Sequence, residues 1–170
     1  MLHVSGTTIA LTPRGVEKKP ANDEDLRNAI VCVLETLKVI LVTMQATVNA
    51  HVHLFKVAHQ RPKSLYHRDI RWNNVLRKID DPARWFLIDW ADSSVAPTKA
   101  APLLKNETHS PDVFKDNHGA EVDIWGIGFL ILSCRSHIAS DNLKEFGRKF
   151  CDSSHNFSAE DVLEQLQQIE

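Results

Sequence analysis

No two cysteines in this 170-residue chain stand close enough in sequence to suggest a disulfide framework or a zinc site. Cys32, Cys134 and Cys151 are odd in number and widely spaced, which fits a reducing compartment. Met1 to Ala10 lack a charged segment followed by an apolar run, so no secretory leader is expected. The longest apolar run, Ile127 to Leu132 with its neighbours, is far too short to cross a bilayer. A net charge of -2 gives no electrostatic reason to expect nucleic acid or an anionic membrane as partner. Internal repeats and low-complexity segments are missing as well. What remains is a soluble, intracellular protein (cytoplasm or nucleus), with 43% hydrophobic and 25% charged residues and enough length to bury a core as one domain.

The elements follow from local pattern. Thr7 to Thr12 is β-branched and apolar and predicts a short strand, ended by a turn at Pro13-Arg14-Gly15. Asn22 or Asp23 caps a helix, with Glu24 and Asp25 in its first turn. From there Leu26, Ile30, Val33, Leu34, Leu37, Leu41 and Met44 recur at helical spacing. The pattern weakens beyond and resumes at Val48, Leu54, Phe55 and Ala58. A single helix to Arg61-Pro62 exceeds ordinary helix lengths, so a break near Thr43 to Asn49 is an equal expectation. Asn74 to Leu76 and Trp85 to Ile88, around Asp80-Asp81-Pro82, predict a β-hairpin. Asp92 to Asp116 is aperiodic and rich in Ser, Thr, Pro and Asn, the texture of a long functional loop. Val122 to Cys134 is apolar nearly all round and predicts a buried helix. Asp141 to Phe150 and Ser158 to Ile169 predict amphipathic helices, the second opened by Ser158 and Asp161 as a capping box.

The chemistry concentrates in Tyr66-His67-Arg68-Asp69-Ile70-Arg71-Trp72-Asn73-Asn74. H-R-D, with an asparagine five residues after the aspartate, resembles the catalytic loop of protein kinases. Phe86-Leu87-Ile88-Asp89-Trp90-Ala91 resembles that family's strand and D-F-G turn, with Trp90 and Ala91 replacing Phe and Gly. Val122-Asp123-Ile124-Trp125-Gly126 is similar to the D-x-W-x-x-G opening of its central helix. Ser110-Pro111-Asp112 stands about where A-P-E would close the activation segment. The wording HRDIRWNNVL, RWFLIDW, HSPDVF and NHGAEVDIWGIG looks like the kinase-like domains of fungal and oomycete proteins, including Crinkler-type effectors and fungal-specific kinases. The likeness covers residues 65 to 134 well. TTIALTPRG resembles a last N-lobe strand and hinge, and SAEDVLEQL a final C-lobe helix.

The resemblance implies an α+β, predominantly helical C-terminal lobe with a small hairpin: residues 1–20 as the N-lobe remnant, 21–170 as the lobe itself. It implies Asp69 as the group that orients and deprotonates the attacking hydroxyl, and Asn74 and Asp89 as ligands of Mg²⁺ carried with ATP. Arg71 would reach the transferring phosphate, where many relatives have lysine. His67, Arg68, Asp123 and Trp125 would be structural support, Asp123 holding the loop backbone from beneath. The partner implied is a protein substrate, phosphorylated on Ser or Thr, or a binding partner; the oligomeric state is left open.

The pattern also departs from the family. The six glycines form no G-x-G-x-x-G, no lysine of the V-A-I-K type precedes the hinge, and no glutamate-bearing helix fits before residue 7. These parts hold the α- and β-phosphates, so phosphate transfer by this chain alone is expected to be impaired. Val39 to Phe55 reads as an insertion or an imperfect gene model. A degenerate kinase serving as a binding module is therefore the alternative. A small-molecule kinase of the aminoglycoside type ranks lower, because that family has glycine where Arg68 stands. Simpler readings apply elsewhere. His51, His53, His59, His109 and His118 are expected to be solvated or core histidines. Thr98, Thr108 and Ser110 are candidate phosphorylation sites that Arg68 would pair. An exposed apolar face is expected where an N-lobe would dock.

Overall fold

The computed structural model describes residues 3–5, 8–10, 13–52, 64–135, 137–152, 154 and 157–169, with the backbone alone for 3–5, 8–10 and 39–52. The fold is α+β and mostly helical, as expected. Strands β1 (His3–Ser5) and β2 (Thr8–Ala10) form an antiparallel pair. The first of these was not foreseen, and the expected turn at Gly15 instead opens a third strand, β3 (Gly15–Glu17). Helix α1 (Asp23–Val52) follows as one 30-residue element. The break expected near Thr43 to Asn49 does not occur, and the helical backbone runs through it. Of the presumed insertion, residues 53–55 lie outside the described residues, as do His53 and His59.

The start of α1 is overdetermined. Asn22 Oδ1 accepts the Asp25 N–H at 2.8 Å, and Asp23, Glu24 and Asp25 oppose the positive end of the helix dipole. One stripe, Leu26, Ala29, Ile30, Val33, Leu34 and Leu37, is buried in the main core.

Strand β4 (Leu65–Tyr66) leads into the H-R-D segment. The predicted hairpin is present as β5 (Val75–Lys78) and β6 (Trp85–Leu87), with Val75 opposite Leu87 and Arg77 opposite Trp85. Strand β3 completes this sheet in the order β3-β5-β6. Arg77 ties the sheet to α1 through Asp25, 3.0 Å away. Val16 and Ile79 are exposed apolar side chains at β3 and just past the end of β5. Strand β7 (Ser94–Val95) pairs back onto β4, and the loop beyond it is irregular except for a 3-10 turn at Pro111–Phe114.

Helix α2 (Glu121–Leu132) buries Val122, Asp123, Ile124, Ile127, Leu130 and Ile131, apolar on almost every face as its sequence predicts. Helix α3 (Asp141–Asp152) crosses it at two glycines. A Cβ on Gly128 would stand 2.5 Å from the Gly147 carbonyl oxygen, so the helix backbones meet where neither has a side chain. Helix α4 (Ala159–Leu166) begins at Ser158 with the predicted capping box, in which Ser158 and Asp161 each satisfy the other's backbone N–H.

Candidate functional site

The H-R-D loop is held from below by α2. Asp123 is buried, and its two carboxylate oxygens accept the backbone N–H groups of His67 at 2.8 Å and Arg68 at 2.7 Å. These bonds fix Arg68 at φ 71°, a left-handed conformation uncommon for a residue with a side chain. Burial pushes the Asp123 carboxyl up to about 6 in spite of the two donors. Asp123 thus ties the backbone of His67 and Arg68 to α2.

His67 joins the two predicted site segments. Its Nδ1 accepts the Asp69 N–H at 3.2 Å, so Nε2 carries the proton and donates it to the Ile88 carbonyl at 3.0 Å. The ring is fully buried against the edge of Trp90 at 4.4 Å, and burial lowers its pKa, consistent with a neutral imidazole. From the other side, the Ile88 N–H donates to the Asn74 carbonyl at 2.9 Å. The chain turns at Asp89 with φ 61°, which presents an exposed carboxylate next to Asn74's segment. With Ala91 beyond it, the strained position is Asp89 itself, where aspartate tolerates the left-handed region better than most residues do.

Asp69 is the most enclosed of the predicted residues, with 2% of its surface exposed. Four nitrogens surround its carboxylate. Asn74 Nδ2 donates to Oδ2 at 2.8 Å, and Arg71 Nη2 to the same oxygen at 3.0 Å. Arg71 Nε stands 2.6 Å from Oδ1, off the hydrogen-bond line, and His109 Nε2 is 2.8 Å from Oδ1. Burial alone would raise the Asp69 pKa, but the bonds from His109, Arg71 and Asn74 together carry it below the ordinary carboxylate value. Asn74 also donates to the Asp69 carbonyl at 2.8 Å. Both contacts use its Nδ2, which leaves Oδ1 available to a cation.

The structure thus brings His67, Arg68, Asp69, Arg71, Asn74, Asp89 and Asp123 into one frame. Trp125 lies apart from it, stacked on Phe129 at 5.2 Å with its carbonyl facing Cys151. Trp72 gives the indole support instead: its Nε1 donates to the Leu130 carbonyl at 2.9 Å and fastens the end of the loop to α2. Arg71 makes its contacts with Asp69. Arg68 donates to the carbonyls of Asp92 (2.5 Å) and Lys99 (3.0 Å), while Thr98 is fully buried with its hydroxyl on the His118 carbonyl at 2.6 Å. Ser110 is buried as well, so Thr108 alone of the three candidate hydroxyls is partly open.

Sequence reasoning missed His109. Nothing local marks it, because its partner is 40 residues away and the pair exists only once the loop has folded back.

As a cation site the residues are few. Among the described residues no group of three or more His, Cys, Asp or Glu side chains could enclose a metal. One amide oxygen and one exposed carboxylate fit Mg²⁺, which keeps several waters and is usually held by one or two protein ligands plus substrate phosphates.

No family model matches the chain. It is similar to an effector protein. Crinkler effector protein 8 of Phytophthora infestans is 35% identical over 127 residues, 72% of this chain and 18% of that protein. The chain therefore spans less than a fifth of the curated relative it matches. The Crinkler wording noted in the sequence agrees with that similarity. Among the described residues no helix is long and apolar enough to cross a membrane.

Proposed function

We propose that this chain is the C-terminal lobe of a protein-kinase-like domain that transfers the terminal phosphate of ATP to protein Ser or Thr hydroxyls. The observation that carries the reading is the hydrogen bond from Asn74 Nδ2 to Asp69 Oδ2 at 2.8 Å, within a loop braced on Asp123. It orients the carboxylate that would receive the hydroxyl proton and leaves the Asn74 amide oxygen out of that contact. Asn74 and Asp89 would hold Mg²⁺, which supplies charge neutralisation between the phosphates. Asp69, held ionised by its donors, orients the attacking hydroxyl and accepts its proton. The similarity to a Crinkler effector supports an effector-type domain.

A second reading rests on Asp69 itself. Its carboxylate is surrounded by nitrogens and almost inaccessible, the state expected of a module that binds partners without catalysis.

Thermal unfolding with and without millimolar Mg²⁺-ATP separates the two. Nucleotide at about a hundred times its Kd stabilises by roughly 2.7 kcal/mol. A Mg²⁺-dependent rise in Tm that is absent in Asp89→Asn supports the phosphotransfer reading. Phosphate transfer to a protein acceptor, lost in Asp69→Asn, completes it. A cooperative transition that Mg²⁺-ATP leaves unmoved sinks it and favours the binding module.

A further inference from the structure

His109 comes from the loop between β7 and α2, and both its ring nitrogens are engaged. Nε2 stands 2.8 Å from Asp69 Oδ1, and Nδ1 can accept from the Thr108 hydroxyl at 3.0 Å and the Lys105 N–H at 3.3 Å. An ionised Asp69 can only accept at this distance, so Nε2 is the protonated nitrogen. The His109 side chain is 4% exposed and Asp69 2%, so the contact is shielded from water. The other side chain on Asp69 is different: Arg71 is one-third exposed, donating through Nη2 at 3.0 Å with its Nε off the hydrogen-bond line.

This contrast decides which donor can leave. Asp69 must free one carboxylate position before it can accept a hydroxyl. Arg71 is the donor that can leave, because its side chain is one-third exposed against 4% for His109 and its guanidinium has a phosphate to move to. His109 is fixed at both ends in a buried site and stays. We propose that His109 is a positioning residue for Asp69: it and Asn74 hold the carboxylate in place when Arg71 turns to the phosphate. The inference rests on the phosphotransfer reading for its purpose. The contact itself does not depend on that reading.

Three substitutions in the full chain test it. Gln at 109 places an amide N–H near the position of Nε2, whereas Leu fills the space without a donor. His109→Leu is expected to lower kcat for phosphate transfer from Mg²⁺-ATP to dephosphorylated casein by about tenfold or more with the KM for ATP unchanged, the mark of a misoriented acid–base group. His109→Gln is expected to recover most of that loss at a Tm no higher than that of the Leu variant. Equal losses in Leu and Gln, or a rise in KM with kcat unchanged, overturn the proposal. So does a higher kcat in the Leu variant, which would make His109 a block.

Imidazole ¹⁵N NMR reads the contact without nucleotide. The His109 Nε2–H signal is expected to move in Asp69→Asn, and an unmoved signal overturns the proposal whatever the assay shows. If that signal moves but the unsubstituted chain transfers no phosphate, the contact stands and the phosphotransfer reading alone fails.

Discussion

Asp123 accepts the backbone N–H of Arg68 at 2.7 Å, and that bond holds Arg68 at φ 71°. A strained backbone persists only when its surroundings overdetermine it, and here one carboxylate does so through two donors. Asp123→Ala leaves both N–H groups buried and unpaired. A loss of about 3 kcal/mol is expected, at 1–3 kcal/mol per orphaned group, measurable by urea denaturation. A loss under about 0.5 kcal/mol would mean that water replaces the carboxylate at no cost.

The same carboxyl gives stability a pH dependence of unusual sign. Its folded pKa, about 6, lies above the ordinary carboxylate value of 3.8, so the folded state binds the proton more tightly. Between those values the group's contribution weakens as pH rises, by up to about 3 kcal/mol at 1.36 kcal/mol per pH unit. Asp69 titrates in the opposite sense, since its folded pKa is lowered and its contribution is lost on acidification. The quantity to measure is therefore the difference between the wild-type chain and Asp123→Asn from pH 4 to 7. The wild type is expected to lose ground relative to the variant as pH rises. A pH-independent difference would show that Asp123 titrates normally.

How much of this was legible beforehand depends on the range of the interaction. The hairpin of Val75 to Leu87, the buried character of Val122 to Leu132 and the Ser158 cap are written in neighbouring residues, and each appeared where its pattern placed it. For α1 the pattern left one long helix and a break near Thr43 to Asn49 as equal alternatives, because helical continuity there does not need a strong apolar stripe. Asp69 and Asn74 were recognisable from their spacing. His109 on Asp69 and Trp72 on Leu130 were not, since each joins segments 40 or more residues apart with no shared motif.

Arg68 spends its guanidinium on backbone carbonyls of the following loop, those of Asp92 and Lys99. Lysine cannot reproduce that fork. Arg68→Lys is expected to leave Tm within a few degrees while increasing proteolytic cleavage between residues 98 and 108 severalfold. Unchanged cleavage would show that β7 and Thr98 secure the loop without it.

At the α2–α3 crossing, Gly128→Ala would put a methyl group 2.5 Å from a backbone carbonyl oxygen that cannot rotate away. The helices must separate, at a cost of about 1–3 kcal/mol, the range for overpacked cores. Differential scanning calorimetry reads this as a lowered Tm. A neutral or higher Tm would indicate that α3 slides freely.

The brace on the H-R-D loop has a further consequence, for the order in which the molecule can assemble. Asp123 lies 56 residues downstream of His67. A growing chain that has passed Asn74 but not yet reached Asp123 carries the whole motif with nothing to hold its shape. Long-range contacts of this kind form late, because loop closure comes before any reward. During synthesis, the segment richest in chemical signature is thus among the last to acquire its geometry.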